Sequence, residues 1–330
     1  MIAMVPTRRL QTALRLCLPA LALICASAAA QQWPAKTVRI IVPFPPGQAA
    51  DLVARVMAER LSAVLGQQVI VENRPGAGSV VGSEMAAKSP PDGYTFLAGG
   101  TSALVINPHL YAKLGYDTLR DFAPITNMTE VAMIFCVNPA LPVRNISELM
   151  ALAKRRPDAL SYGSSGSGSV SHLAQALFAT IADVKLLHIP YKGSVPNLID
   201  VIAGQTMLTA ETTPTVQPHV KSGKLRAVGV AANKRIPFMP EMPTLDEQGV
   251  QGYDVRAWTG LVAPAGTPVA ILDRMNKEAV TTLAAPEMKK RIAELLLVPV
   301  GDTREQFSAY LKTELVKWAH AVKISGAKAE

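Results

Sequence analysis

The sequence is poor in cysteine, which limits the chemistry available to it. Only three of its 330 residues are cysteines, and Cys17 and Cys25 both lie in an apolar N-terminal stretch. Without that stretch Cys136 is the one remaining thiol, so no intramolecular disulfide can form. Cys136 belongs to the apolar run 131–137, which predicts a buried structural thiol and not a nucleophile.

Catalytic and metal-binding motifs are also missing. The chain has five histidines, but none belongs to an H-E-x-x-H motif or to a Cys/His cluster with zinc-ligand spacing. Its serine-rich stretch contains no G-x-S-x-G nucleophile elbow. The sequence therefore predicts no metal, no cofactor and no catalytic residue.

The charge pattern does not indicate a nucleic-acid partner. The formal net charge is +8, but the basic residues are spread along the chain and are not interleaved with aromatic residues. Aromatic residues make up only 5% of the sequence. The sequence therefore predicts a mildly basic protein that does not bind nucleic acid.

The N-terminus has the features of a secretory signal peptide. Arg8, Arg9 and Arg15 precede a short apolar run, small residues follow it, and no acidic residue occurs before Asp51. The run is shorter than the roughly 20 residues that span a bilayer, which disfavours a membrane anchor. We expect residues 1–30 to be cleaved and the mature protein to be periplasmic.

The remaining chain alternates between strand-like and helix-like segments. Residues 36–42 are β-branched and bounded by prolines, which predicts a strand, and residues 49–65 show helical spacing closed by Gly66. Residues 131–137 predict a further strand, and Ser147 is the predicted cap of the helix that follows it. Repetition of this pattern predicts mostly parallel sheets flanked by helices. A mature chain of about 300 residues exceeds the usual size of one core, so we expect two α/β lobes.

Ligands of open α/β sheets bind beyond the carboxyl ends of the strands, where loops lead into helices. Two such loops, 43–51 and 164–169, combine glycine with polar residues, and the second is rich in serine. Free backbone N–H groups and hydroxyls bind carboxylates without a formal charge. The residues of the first loop are equally compatible with a rigid turn and with a binding loop, whereas for the second we favour a binding loop over a flexible linker. Lys192, in a third loop, either pairs with an anion or faces solvent.

Several of these loops resemble those of one known family. The stretches IIVPFPPGQAADLVAR (40–55), VIVENRPGAGSVVG (69–82), LSYGSSGSGSVSHLA (160–174) and HIPYKG (188–193) are similar to the Bug-type receptors of tripartite tricarboxylate transporters. Further similar stretches follow in family order and extend the match to residues 33–270. The resemblance is highly specific because the stretches occur together.

The resemblance implies a two-lobed periplasmic-binding-protein fold whose lobes are joined by two crossover strands. The first lobe would comprise residues 31–131 and 257–330, and the second residues 132–256. The implied ligand is a small carboxylate, including amino acids, amides and aromatic acids, and the implied partner is a membrane permease of the same transporter type; we expect a monomer. The ligand-binding residues implied or indicated are Phe44, Pro45, Gly47, Gln48, Asp51, Thr101, Ser102, Ser164, Ser165, Gly166, Ser169, His172, Tyr191, Lys192, Gly193 and Glu211.

Two residues depart from the family pattern. Gln48 replaces the second glycine of the first loop, which adds an amide at the mouth of the site. Glu211 stands where the family often has Asp or Asn. If it points inward, Glu211 would disfavour a second carboxylate and favour an amino or amide group on the ligand.

The sequence is compatible with three other functions. A receptor of this fold can present its closed form to a signalling partner. Ser169 and His172 are close enough in sequence to suggest a hydrolase or isomerase. Gly76, Gly78 and Gly82 resemble a dinucleotide-binding loop, although the spacing is one residue too long.

Overall fold

The computed structural model describes residues 33–328, so the predicted signal peptide lies outside the described residues. Ten strands form one mixed sheet in the order β2-β1-β3-β9-β4-β7-β5-β6, with β8 and β10 also paired to β4. The strands are β1 (Val38–Val42), β2 (Val69–Asn73), β3 (Thr95–Gly100), β4 (Phe122–Val137), β5 (Ser161–Ser164), β6 (Leu187–Pro190), β7 (Leu208–Thr212), β8 (Arg226–Val230), β9 (Arg256–Pro264) and β10 (Val298–Pro299).

Helices follow most strands, as the alternating pattern predicts. A short 3-10 turn (Ala77–Ser79) and a π-helical segment (Ser102–Ile106) supplement them. The α-helices are α1 (Ala49–Leu65), α2 (Val80–Ala87), α3 (Asn107–Leu110), α4 (Thr118–Asp121), α5 (Ile146–Arg155), α6 (Val170–Ile181), α7 (Ser194–Ala203), α8 (Thr213–Lys221), α9 (Val269–Ala284), α10 (Pro286–Glu294) and α11 (Arg304–Ser325). No helix among residues 33–328 is long and apolar enough to cross a membrane.

The molecule is a two-lobed α/β protein, and the long strand β4 runs through both lobes. Residues 122–132 of β4 pair with β9 beside β3, β1 and β2, which form the first lobe. Residues 133–137 pair with β7 and β8 in the second lobe, where β5 and β6 continue the sheet. Pairs outside the long strands are parallel, whereas β4 and β9 pair antiparallel with their neighbours. The chain returns to the first lobe through Val255, whose N–H donates to the carbonyl of Ala231 (3.0 Å).

Three apolar clusters hold these layers together. One covers the first lobe, where α1 buries Val53, Met57 and Leu61 against the sheet at helical spacing. A second, smaller cluster covers the second lobe. The third is shared, because it joins Leu97 of the first lobe to Phe178 of the second and also includes residues of α11.

Two sequence-based boundaries are wrong. The predicted strand 131–137 begins nine residues earlier, at Phe122, because bulges in its pairing with β9 accommodate Pro124 and the polar residues that follow it. The predicted cap of α5, Ser147, is not the cap. Asn145 caps this helix, since its side chain accepts from the N–H of Glu148 (2.8 Å), while Ser147 donates to the Gln248 carbonyl (2.9 Å).

Candidate functional site

A cavity of about 590 Å³ lies between the two lobes. Loops of both lobes and the central strands β4 and β9 line it. The first lobe contributes Phe44, Gly47 and Thr101 among others, and the second contributes Ser165 and Glu211. The volume suits a small ligand that both lobes contact at once.

Four helices begin at this cavity. The residues around the start of α1 (Gln48, Ala49), α6 (Ser169, Val170, Ser171), α7 (Gly193, Ser194) and α8 (Thr212, Pro214, Thr215) all belong to its lining. The first N–H groups of a helix have no partner within the helix, and the helix dipole makes this end electropositive. The cavity therefore provides donors for an anion from both lobes.

The lining contains no basic side chain. No lysine, arginine or histidine occurs among the described residues that line the cavity, and Glu211 is its one charged residue. An anion in this cavity is therefore held by backbone N–H groups and hydroxyls and not by an ion pair.

Asp51 does not line the cavity but stabilises the first loop through a hydrogen bond from Gly47. Its buried carboxylate accepts from the Gly47 N–H (2.8 Å), from Arg55 Nε (3.0 Å) and from Asn73 Nδ2 (2.9 Å). Burial by itself would raise the pKa of Asp51, but the hydrogen bonds from Arg55, Gly47 and Asn73 outweigh it and lower the pKa. Asp51 thereby fixes Gly47, whose φ of +84° favours glycine.

Thr101 and Ser102 extend the wall of the first lobe. The Thr101 hydroxyl accepts from the backbone N–H of Trp258 (3.0 Å), which ties the end of β3 to β9. This bond leaves the hydroxyl proton of Thr101 free to donate. Trp258 and Thr259 also line the cavity, and the sequence analysis did not find them because they lie within a strand and not in a loop.

Glu211 lies at the end of β7 and is only 3% exposed. Its carboxylate accepts from Ser194 Oγ (3.0 Å) and from Asn197 Nδ2 (3.1 Å). Burial raises the pKa of Glu211, and the hydrogen bonds from Ser194 and Asn197 oppose that shift. The sequence analysis missed Asn197, although a polar residue on the buried face of α7 is a signal for such a role.

The serine-rich loop rests on two stacked histidines. The rings of His172 and His188 are parallel to within 3°, with centroids 3.7 Å apart. His172 Nδ1 accepts from the Gly168 N–H (3.1 Å), and His188 Nε2 lies 2.7 Å from Ser164 Oγ. Burial lowers the pKa of each histidine to about 4, so both are neutral at physiological pH. The pair supports the loop and does not line the cavity.

This arrangement does not bring together the residues that two of the alternative functions require. Ser169 Oγ accepts from the backbone N–H of His172 (3.1 Å) while the His172 ring bonds to Gly168, so the two side chains form no nucleophile–base pair. The glycine loop of residues 76–82 packs against Asn107, whose Nδ2 donates to the Gly78 carbonyl (2.9 Å), and does not reach the cavity. Within residues 33–328 no group of three His, Cys, Asp or Glu side chains is placed to hold a metal.

The predicted site residues divide into two groups. Those that line the cavity are Phe44, Gly47, Gln48, Thr101, Ser102, Ser165, Ser169, Gly193 and Glu211. Those outside the lining are Pro45, Asp51, Ser164, Gly166, His172, Tyr191 and Lys192. The structure places the second group outside the lining, and ligand contact by these residues stays a prediction. Asp51, Ser164 and His172 support loops, Tyr191 donates to Asp200 (2.7 Å), and Lys192 is exposed.

Known proteins are similar to this chain in sequence and fold. Residues 53–326 match the tripartite tricarboxylate transporter family receptor profile. BugT of Bordetella pertussis is 34% identical over 306 residues, which cover 92% of this chain and 94% of BugT.

Two solved structures are similar and contain carboxylates. Rpa4515 of R. palustris with adipate is 33% identical, with a TM-score of 0.79, over 90% of this chain and 99% of that protein. MatC from Rhodopseudomonas palustris with bound malate is 29% identical, with a TM-score of 0.74, over 88% of this chain and all of that protein. These matches confirm the two-lobed fold and the resemblance seen in the sequence: the chain belongs to the receptor family of tripartite tricarboxylate transporters, the Bug-type periplasmic solute-binding proteins.

Proposed function

We propose that the protein captures a small carboxylate between its lobes and delivers it to a membrane permease of the tripartite tricarboxylate transporter type. The observation that carries this proposal is the convergence of four helix N-termini on a cavity that lacks a basic side chain. The adipate and malate in related structures support the ligand class. The receptor family supports the transport role.

The proposal includes two lobes that close on the ligand. We assign residues 31–131 and 257–330 to one lobe and residues 132–256 to the other. The passage of β4 from one half of the sheet to the other between Ala132 and Met133 supports the first boundary. The entry of the chain into β9 at Arg256 supports the second. We further propose that residues 1–30 direct export and are removed, which N-terminal sequencing of the periplasmic protein tests.

The binding step is tested by thermal unfolding with adipate, malate and other short carboxylates. The melting temperature should rise and saturate with a bound carboxylate, because a ligand that binds only the folded state stabilises it by mass action. A diol of matched length should produce no rise. If no carboxylate raises the melting temperature or gives a calorimetric signal, the proposal is wrong.

A pair of variants in the serine-rich loop locates the site. Ser165 lines the cavity, whereas Ser167 of the same loop does not. Ser165→Ala should weaken carboxylate binding about tenfold, which corresponds to one hydrogen bond to a charged group. Ser167→Ala should bind as the wild type does. Recovery of the carboxylate unchanged after prolonged incubation tests the absence of catalysis.

A further inference from the structure

The most unusual group in the cavity is the buried acid Glu211. It is the one charged residue of the lining, and no basic side chain of the described chain is among the groups that act on its carboxyl. A buried carboxylate without a positive partner is unfavourable unless other groups stabilise its charge. The groups around Glu211 therefore indicate which chemical group of a ligand it would bind.

Hydrogen bonds around Glu211 offset part of the cost of burying its charge, although burial still raises its pKa. Ser194 and Asn197 donate one hydrogen bond to each carboxylate oxygen. Both donors belong to the first turns of α7, and Glu211 itself immediately precedes Thr212, the N-cap of α8. Two electropositive helix ends thus lie beside this carboxylate. Burial and the Glu211 carboxyl both raise the pKa of the buried Cys136 thiol, which therefore stays neutral.

Part of the hydrogen-bonding capacity beside Glu211 is unused. A carboxylate has about four acceptor positions, and Ser194 and Asn197 occupy two of them. The Ser171 hydroxyl lies on the lining of the same cavity, is 2% exposed, lowers the pKa of Glu211 as a neighbouring donor, and has no other hydrogen-bond partner. Glu211 and Ser171 together offer acceptors to a donor that enters from the cavity.

We infer that the ligand carries a protonated amine besides its carboxylate, and that Glu211 and Ser171 bind the amine while the helix N-termini bind the carboxylate. This inference rests on the proposed carboxylate-binding function and narrows it to amino-carboxylates. An ammonium group has three hydrogen-bond donors, and its positive charge would supply the partner that the Glu211 carboxylate lacks. A dicarboxylate, in contrast, would place a second negative charge beside Glu211.

Matched ligand pairs test this inference on the full mature protein. Calorimetry would compare 6-aminohexanoate with adipate and 4-aminobutanoate with succinate. We expect the amine-bearing member of at least one pair to bind about tenfold or more tightly than its partner, since this factor corresponds to about 1.4 kcal/mol, which a close charge pair can supply. If every dicarboxylate binds as tightly as its amine-bearing partner, the inference is wrong although the proposed function stands.

The variant Glu211→Gln assigns the preference to one side chain. Glutamine keeps the volume and the hydrogen bond from Asn197 but loses the charge, so the preference for the amine should fall to within about twofold. Ser167→Ala is the matched control and should keep the full preference. An unchanged preference in Glu211→Gln would overturn the role of Glu211. If that variant does not fold, the comparison of ligand pairs in the wild type still tests the inference.

If no carboxylate of any pair binds, the proposed function itself fails, and this inference fails with it.

Discussion

Asp51 shows how a charged residue can shape the cavity without facing it. Its carboxylate joins Gly47 of the first loop, Arg55 of α1 and Asn73 of β2. The predicted place of Asp51 in the first turn of a helix is confirmed. The prediction that it shapes the wall of the first lobe stays a prediction, with Gly47 as the residue through which it would act. The contact with Asn73 could not be predicted from local sequence, because Asn73 is 22 residues distant along the chain.

Asp51→Ala should lower the free energy of unfolding by about 1–3 kcal/mol, because three donors lose a buried acceptor. Since the pKa of Asp51 lies below its ordinary value of 3.8, this contribution is complete at neutral pH and is lost as the pH falls through the lowered pKa. Denaturation in urea at pH 7 measures the difference. Glu59→Ala on the same helix is the control, because Glu59 forms only an exposed pair with Arg291. A change as small as that of the control would contradict the proposed role of Asp51.

The stacked histidines predict a second dependence on pH. The pKa of His172 and of His188 falls from 6.5 to about 4 on folding, so the unfolded chain binds more protons between these values. Stability should therefore be full above pH 6.5 and decrease as the pH falls toward 4. The double variant His172→Asn/His188→Asn should show a flatter decrease in urea denaturation across this range. An equally steep decrease in the double variant would show that other titratable groups cause the loss of stability.

Individual helices differ in how far the sequence predicts them. The bounds of α1 and its closing Gly66 agree with the sequence-based prediction, because apolar spacing and cap residues are local signals. The first half of β4 and the helical segment after Thr101 were missed. Both depend on tertiary pairing: the bulged register with β9 in one case, and packing of residues 103–106 into the shared core in the other.

The C-terminal helix α11 allows a direct test of the shared core. Trp318 is 1% exposed and its indole donates to Glu314 (2.9 Å), whereas Val316 on the same helix is 74% exposed. Trp318→Ala should destabilise the protein by about 3–5 kcal/mol, because it leaves a cavity in that core. Val316→Ala should stay within about 0.5 kcal/mol of the wild type. Chemical denaturation of both variants compares them, and similar losses would show that Trp318 is not part of the core.

At the scale of the whole molecule, the sequence predicted the two lobes and most loops that meet between them. It could not predict which side chains of those loops face inward, since that depends on the relative placement of the lobes. Ser164 and Ser165 illustrate the limit: they are adjacent in one motif, but the first is buried against His188 and the second lines the cavity. Trp258 and Thr259 of the central strand β9 line the cavity, and no loop motif could have indicated them.

Closure of the lobes should be visible in solution. A saturating carboxylate should decrease the radius of gyration measured by small-angle X-ray scattering, because the ligand contacts both lobes only when the cleft is narrow. The same concentration of a non-binding diol should leave the radius unchanged. An identical radius with and without bound carboxylate would show that binding does not depend on closure.

The apolar cluster shared by the lobes has a consequence for cooperativity. Leu97 and Phe178 belong to different lobes but to one continuous core, which also includes Trp318. Separate melting of the lobes would expose this core to water, so we expect a single heat-absorption peak in calorimetry. For the same reason, a ligand bound at the cleft should slow amide hydrogen exchange deep inside both halves, well away from any atom that it touches.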